Sequence, residues 1–310
     1  MMHARILFLF MGLFFAMYVP LSHAGRSHLE GDQVIVRFDE PLRSAAGEVL
    51  KIYPSVKAEL ARDLWRLDFP AEIVLVKERD SFLRNAEDSL TVAYAVPRDN
   101  LIVIDYSRMN TYPFTLATTL KHELCHLQLH QQIRQGGLPR WLDEGVCQWV
   151  TGGVGEIMTD ESRSILKEAA LSRRLIGIGE LTESFPTGRK ELLLAYEESR
   201  SIVAYIAGEY GVPKVRMMLE LLGSGVDINK AVEESLSVSL SELEARWRNH
   251  LTKRISWVSY MSDNLYELLF LLAALITVYG FIKVIKRKKN YHDEEDGEIS
   301  DPSKEASERK

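Results

Sequence analysis

The chain has 310 residues, and the stretch from Gly25 to about Leu251 is long enough for one good-sized core or at most two small ones. No low-complexity linker or internal repeat divides that stretch, so one domain is expected over residues 25–252. The net charge of −6 is mild and draws on an acidic run at residues 293–298, which argues against nucleic-acid binding.

Residues 1–24 read as a signal peptide. A positive charge at Arg5 precedes the apolar run Ile6 to Leu21, and Ser22-His23-Ala24 ends in a small residue suited to cleavage. An uncleaved signal anchor is the rival reading. The next stretch alternates strand and helix: Gln33 to Phe38 is strand-like, and Ser55 to Trp65 is helix-like with Val56, Leu60 and Leu64 on one side. Glu72 to Val76, Leu90 to Val96 and Leu101 to Ile104 are further strands, the last two separated by the turn Pro97-Arg98-Asp99-Asn100. If Thr91 to Val96 is an exposed edge, an extended peptide could pair with it backbone to backbone, although an ordinary hairpin explains the pattern equally well.

The segment Thr115 to Gln132 is amphipathic, with Leu120, Leu124 and Leu127 on the side away from His122 and His126. Positions four apart stack on one helix face, so the two imidazoles can grip one metal ion with Glu123 beside it. Zinc in a catalytic site takes three protein ligands and keeps a fourth position for solvent, and His2Glu is a standard set. Glu144 is the natural third ligand, carried by a second short helix that Pro139 starts and Gly152-Gly153 ends, with Trp141, Leu142, Val146 and Trp149 as its apolar stripe. A histidine-glutamate run of this kind arises by chance in about one chain in a hundred, so the paired helices around it carry much of the weight. His130 cannot join His122 on one ion, since eight residues of helix span about 12 Å and a zinc–nitrogen bond about 2 Å. It belongs one turn down the cleft or on the surface.

Beyond the motif the pattern is helical: Glu161 to Leu171, Leu192 to Tyr210, Pro213 to Leu222, Ile228 to Glu234 and Leu240 to Leu251, with Gly211 and Gly223 as stops and Trp247 as core. The fold class is therefore α+β, a small mixed sheet packed on the histidine helix and followed by a mainly helical lobe. Gly152 to Asp160 could form a flexible cover over the cleft. Residues 265–285 read as one transmembrane helix, followed by Lys286, Arg287, Lys288 and Lys289 in a charged tail at 286–310. The basic cluster puts the tail in the cytoplasm and the main domain on the periplasmic or extracytoplasmic side, and the basic-then-acidic tail fits a bacterial inner-membrane protein. Both cysteines, Cys125 and Cys147, sit in the proposed site. An oxidising compartment would let them bond and clamp the two helices, but helical register favours two small buried residues with no bond.

These residues resemble a family. Leu138-Pro139-Arg140-Trp141-Leu142-Asp143-Glu144-Gly145 after His122-Glu123-Leu124-Cys125-His126 is similar to the peptidase MA-like domain of the gluzincin metallopeptidases, with looser matches over Glu180 to Pro186, Ala195 to Ser199, and Tyr210-Gly211 to Trp247. The resemblance covers roughly Val34 to Leu251. It implies a thermolysin-like core, one zinc ion per chain held by His122, His126 and Glu144, peptide-bond hydrolysis, and Glu123 as the general base that takes a proton from zinc-bound water. It also puts Tyr196 where the family carries a similar Tyr, as a donor to the developing oxyanion; a core aromatic with its hydroxyl at the rim is the plain alternative. Gln148 departs from relatives with a carboxylate one turn after the ligand Glu, so orientation of a histidine falls to another group such as Asp143. The expected partners are a peptide or protein substrate and the membrane. A competing class is a non-proteolytic module that binds or assembles envelope proteins, and a non-peptide substrate is a third possibility with no support in the chain.

Overall fold

The computed structural model describes residues 27–86, 91–111, 114–134, 137–152, 161–263 and 265–298. The expected signal peptide, most of the proposed cover at 152–160 and the end of the charged tail lie outside the described residues. The chain divides into two compact units, Met1–Arg248 and Asn249–Lys310.

The first unit opens with a five-stranded sheet in the order β1 (Ser27–Gly31), β2 (Val34–Phe38), β3 (Ala71–Val76), β5 (Leu101–Asp105), β4 (Ala93–Val96). The three central strands are parallel, and both edge strands are antiparallel to their neighbours. Every residue of β5 is buried, as are five of the six in β3, which is why these two strands are mostly Ile, Val and Leu, with Glu72 and Asp105 as their polar residues. Residues directly opposite share a face. Val36, Ile73 and Ile102 thus lie together on one side, and Val74 and Val103 on the other, where Leu101 and Phe82 of the short helix α2 (Arg79–Leu83) complete a buried cluster.

The connection from β2 to β3 is helix α1 (Arg43–Asp63), whose Ala46, Val49, Tyr53, Val56 and Leu60 are buried. It starts twelve residues before the helix expected from Ser55, with Pro54 inside it. Asn100 ends the β4–β5 turn with a φ of 51°, a left-handed conformation that Asn adopts more readily than most residues. Helix α3 (Leu116–Gln132) packs against α1 and α4 (Arg140–Val150). Its N-terminus is capped by Thr115, whose hydroxyl accepts from the Thr118 amide at 3.2 Å.

The rest of the unit is helical: α5 (Glu161–Leu171), α6 (Ile178–Glu183), α7 (Arg189–Glu209), α8 (Val212–Gly223), α9 (Ile228–Leu236) and the start of α10 (Leu240–Asp263). Trp247 is fully buried, as expected, and its indole N–H donates to Ser201 Oγ at 3.1 Å. Arg216 of α8 ties this lobe to the sheet, its Nε donating to the Asp63 carbonyl at the end of α1 at 2.8 Å. A closer constraint is Gly145 of α4. A Cβ there would stand 2.5 Å from the Ser199 carbonyl oxygen and 2.8 Å from Val203 Cγ2, so α4 and α7 cross at a distance only glycine permits.

The second unit contains the end of α10 and helix α11 (Leu265–Glu298). Within α11, Leu265–Lys286 is the one helix among the described residues long and apolar enough to cross a membrane. Its 22 residues span about 33 Å, slightly more than a hydrocarbon layer of about 30 Å. None of that window is buried.

Candidate metal centre

Helices α3 and α4 bring His122, His126 and Glu144 together, and all three are buried. The helical period does the first half of the work by stacking the imidazoles one turn apart, with His122 Nε2 and His126 Nε2 separated by 3.1 Å. The second half is the packing of α4 against α3, which sets Glu144 Oε2 at 3.9 Å from His122 Nε2 and 3.7 Å from His126 Nε2. A point equidistant from these three atoms lies about 2.1 Å from each, the length of a zinc bond to imidazole nitrogen or carboxylate oxygen. Glu144 Oε2 is buried and accepts no hydrogen bond among the described residues, which is costly unless a cation faces it. The donor set therefore fits a divalent metal of the zinc type. Glu123, fully buried, follows His122 on the same helix.

The electrostatics agree with the geometry. Burial, reinforced by the neighbouring His126, pushes His122 down to about 3. Burial would also lower His126, but the Asp143 carboxylate overrides it and holds His126 up to about 10. His126 Nδ1 lies 2.7 Å from Asp143 Oδ1, so an Nδ1–H donated to that carboxylate leaves Nε2 facing His122 and Glu144. Burial raises Glu144 to about 7 against the pull of His126. Asp143 is itself burdened by burial, yet His126 and His130 together hold it well below the usual carboxylate range.

Asp143 takes the orienting role that sequence suggested for it. Fixing the imidazole through Nδ1 leaves Nε2 directed at the site. His130 accounts for the other carboxylate oxygen, its Nε2 lying 2.8 Å from Asp143 Oδ2, and so belongs to this network rather than to the ligand set. Asp143 and Cys147 also cluster with His126, but Cys147 is not available as a thiolate ligand because it is bonded to Cys125. That bond corrects the expectation of two unbonded cysteines. Helical register placed Cys125 off the metal-facing side, and that side is where α4 approaches, with a Cα separation of 5.4 Å.

Tyr196 of α7 is 7% exposed and meets Phe185 edge to face, with ring centroids 5.6 Å apart. Its hydroxyl accepts from Arg140 Nη2 at 3.2 Å. Arg140, in the first turn of α4, was not singled out by sequence reasoning, although its position four residues before Glu144 already put the two on one helix face. Two residues after Tyr196, Glu198 is fully buried and accepts from the Ile176 amide at 3.0 Å. Burial pushes its carboxyl up to about 8, and its Oε2 accepts no hydrogen bond among the described residues.

No curated protein matches the chain. The family model of the peptidase MA superfamily matches residues 77–253, a span that runs from the end of β3 through both site helices and into α10. More than half of the sequence thus carries the family's pattern, and the chain belongs to the peptidase MA superfamily.

Proposed function

We propose that this protein is a membrane-anchored zinc metallopeptidase that hydrolyses peptide bonds of peptides or proteins outside the cytoplasm. The observation that carries this reading is the convergence of His122 Nε2, His126 Nε2 and Glu144 Oε2 at zinc-bonding radius, with Glu123 alongside. Membership of a superfamily whose members are typically metal-dependent peptidases supports it, as does the resemblance to a thermolysin-like core.

His122, His126 and Glu144 would hold one zinc ion per chain, which when bound supplies a Lewis acid toward the scissile carbonyl and makes water available as a nucleophile near neutral pH. Glu123 takes the proton of the attacking water and passes it to the leaving amine. Asp143 keeps the His126 ring in register, and Tyr196 donates to the carbonyl oxygen as it gains negative charge. An extended substrate would lie along β4, an edge strand, which is the condition that backbone pairing with a peptide needs.

Two features support the location. The bonded Cys125–Cys147 pair favours an oxidising compartment for the first unit. Lys283, Lys286, Arg287, Lys288 and Lys289, around the end of the apolar helix, favour a cytoplasmic position for the tail. Residues 25–252 then form the ectodomain after removal of residues 1–24. The test is metal analysis and peptide digestion with the full-length chain in detergent. About one equivalent of zinc and chelator-sensitive cleavage are expected, with Glu123→Gln lowering kcat by about 10²- to 10⁴-fold while zinc is retained. Undiminished cleavage by that variant would remove Glu123 from its role, and absence of chelator-sensitive cleavage would remove the peptidase reading.

A further inference from the structure

Arg140 touches two of the groups the hydrolase reading uses. Its Nε lies 3.9 Å from Glu144 Oε1, the carboxylate oxygen other than the one facing the histidines. Its Nη2 donates to Tyr196 Oη at 3.2 Å. The guanidinium also lies over the Phe185 ring, 5.0 Å from the centroid. A guanidinium is a rigid planar fork, so stacking on Phe185 fixes the plane from which both contacts are made. The side chain is 46% exposed even so, which puts it at the rim of the site.

Resting on the zinc hydrolase reading above, we propose that Arg140 is a positioning residue that sets Glu144 and Tyr196 at once. A cation on the outer oxygen of Glu144 keeps the inner oxygen aimed at the histidine pair, as the partners of a ligating carboxylate generally do. At Tyr196 the effect is on the proton. Accepting an N–H uses a lone pair of the phenol oxygen and not its O–H, so the hydroxyl keeps its donor character, and a neighbouring cation strengthens that donor. The group that should receive it is the substrate carbonyl oxygen as charge develops. Lysine cannot reproduce this, because a point charge on a flexible stem lacks the fork that reaches both groups from one plane.

The test uses the full-length chain in detergent, with zinc affinity from competition with a chromophoric chelator and kcat and KM from a peptide substrate at saturating zinc. Arg140→Gln should weaken zinc binding about tenfold. It should also lower kcat by about 100-fold while KM stays within about twofold. Tyr196→Phe should lower kcat to a similar degree with zinc affinity unchanged, and the double variant should be no slower than the slower single, since both remove one donor. Arg140→Lys, the variant that keeps the charge, should recover part of the zinc affinity but little of kcat. Wild-type zinc affinity and kcat in Arg140→Gln, multiplicative losses in the double variant, or full recovery by Arg140→Lys would each overturn the proposal. A wild-type chain that binds zinc but cleaves nothing would end the peptidase reading and the Tyr196 half with it, while the affinity arm would still decide the Glu144 half.

Discussion

Helices α3 and α11 invert one another. Helix α3 buries His122, Glu123, His126 and Gln128 among apolar neighbours, whereas the apolar stretch of α11 exposes Phe270, Leu271, Leu275 and Ile276 over more than half of their surface. In water each arrangement is unfavourable, the first because a buried polar group costs free energy unless it is partnered, the second because exposed apolar area does. Each becomes reasonable once its surroundings are supplied: a metal ion and a carboxylate network for α3, lipid for α11. On the proposed reading, the buried polar groups of α3 mark where chemistry is done, and the exposed apolar groups of α11 mark where the protein is held.

The comparison breaks most completely if a ligand can be lost without consequence. His126→Ala should abolish zinc binding, because only His122 and Glu144 of the converging set remain, and metal analysis of the purified chain would report it; a full zinc complement would mean the convergence has no metal role. A second way to sharpen it is to remove a buried charge rather than a partner. Glu198 has its folded pKa raised to about 8, so the folded state keeps a proton that the unfolded chain releases above the ordinary value of 4.5. Its contribution is fully present below that value and is lost as pH rises toward about 8, at about 1.4 kcal/mol per pH unit. Glu198→Gln should therefore match the wild type in thermal unfolding at pH 4 and exceed it by several kcal/mol at pH 8. Equal pH profiles would show that Glu198 is not held neutral. The smallest expected effect concerns the other helix. Leu272→Arg, placed in the apolar stretch, should oppose membrane insertion by about 3 kcal/mol and shift protein from the membrane to the soluble fraction, leaving zinc content unchanged. Unaltered fractionation would argue that α11 does not lie in lipid.

The clustering of His122, His126 and Glu144 was legible in the sequence because it follows from local rules: a four-residue spacing on a capped helix, and a second helix start close behind. The strands β3 and β5 were legible for a similar reason, since Ile73–Val76 and Leu101–Ile104 are runs of β-branched and aliphatic residues. What escaped depends on neighbours far along the chain. Strand β1 has the sequence Ser-His-Leu-Glu-Gly, with no alternation, and is a strand only because β2 pairs with it. The first half of α1 contains Gly47 and leads into Pro54, both poor helix formers, and is stabilised by packing against the sheet. The Cys125–Cys147 bond turned on a Cα separation that helical register alone does not fix. Arg140 acquires its meaning from Phe185 and Tyr196, 45 and 56 residues downstream, and α7 carries Tyr196 to it only because Gly145 allows α4 to approach so closely.

The disulfide makes the two halves of the site a single covalent body by a route other than the main chain. Its cysteines are 22 residues apart and flank the whole connection between α3 and α4. A protease that cuts the connection between α3 and α4 leaves His122 and Glu144 on separate peptides that still travel together. Such nicked protein would run as one band without thiol and as two with it, and its histidine and glutamate ligands would stay tethered across the cut.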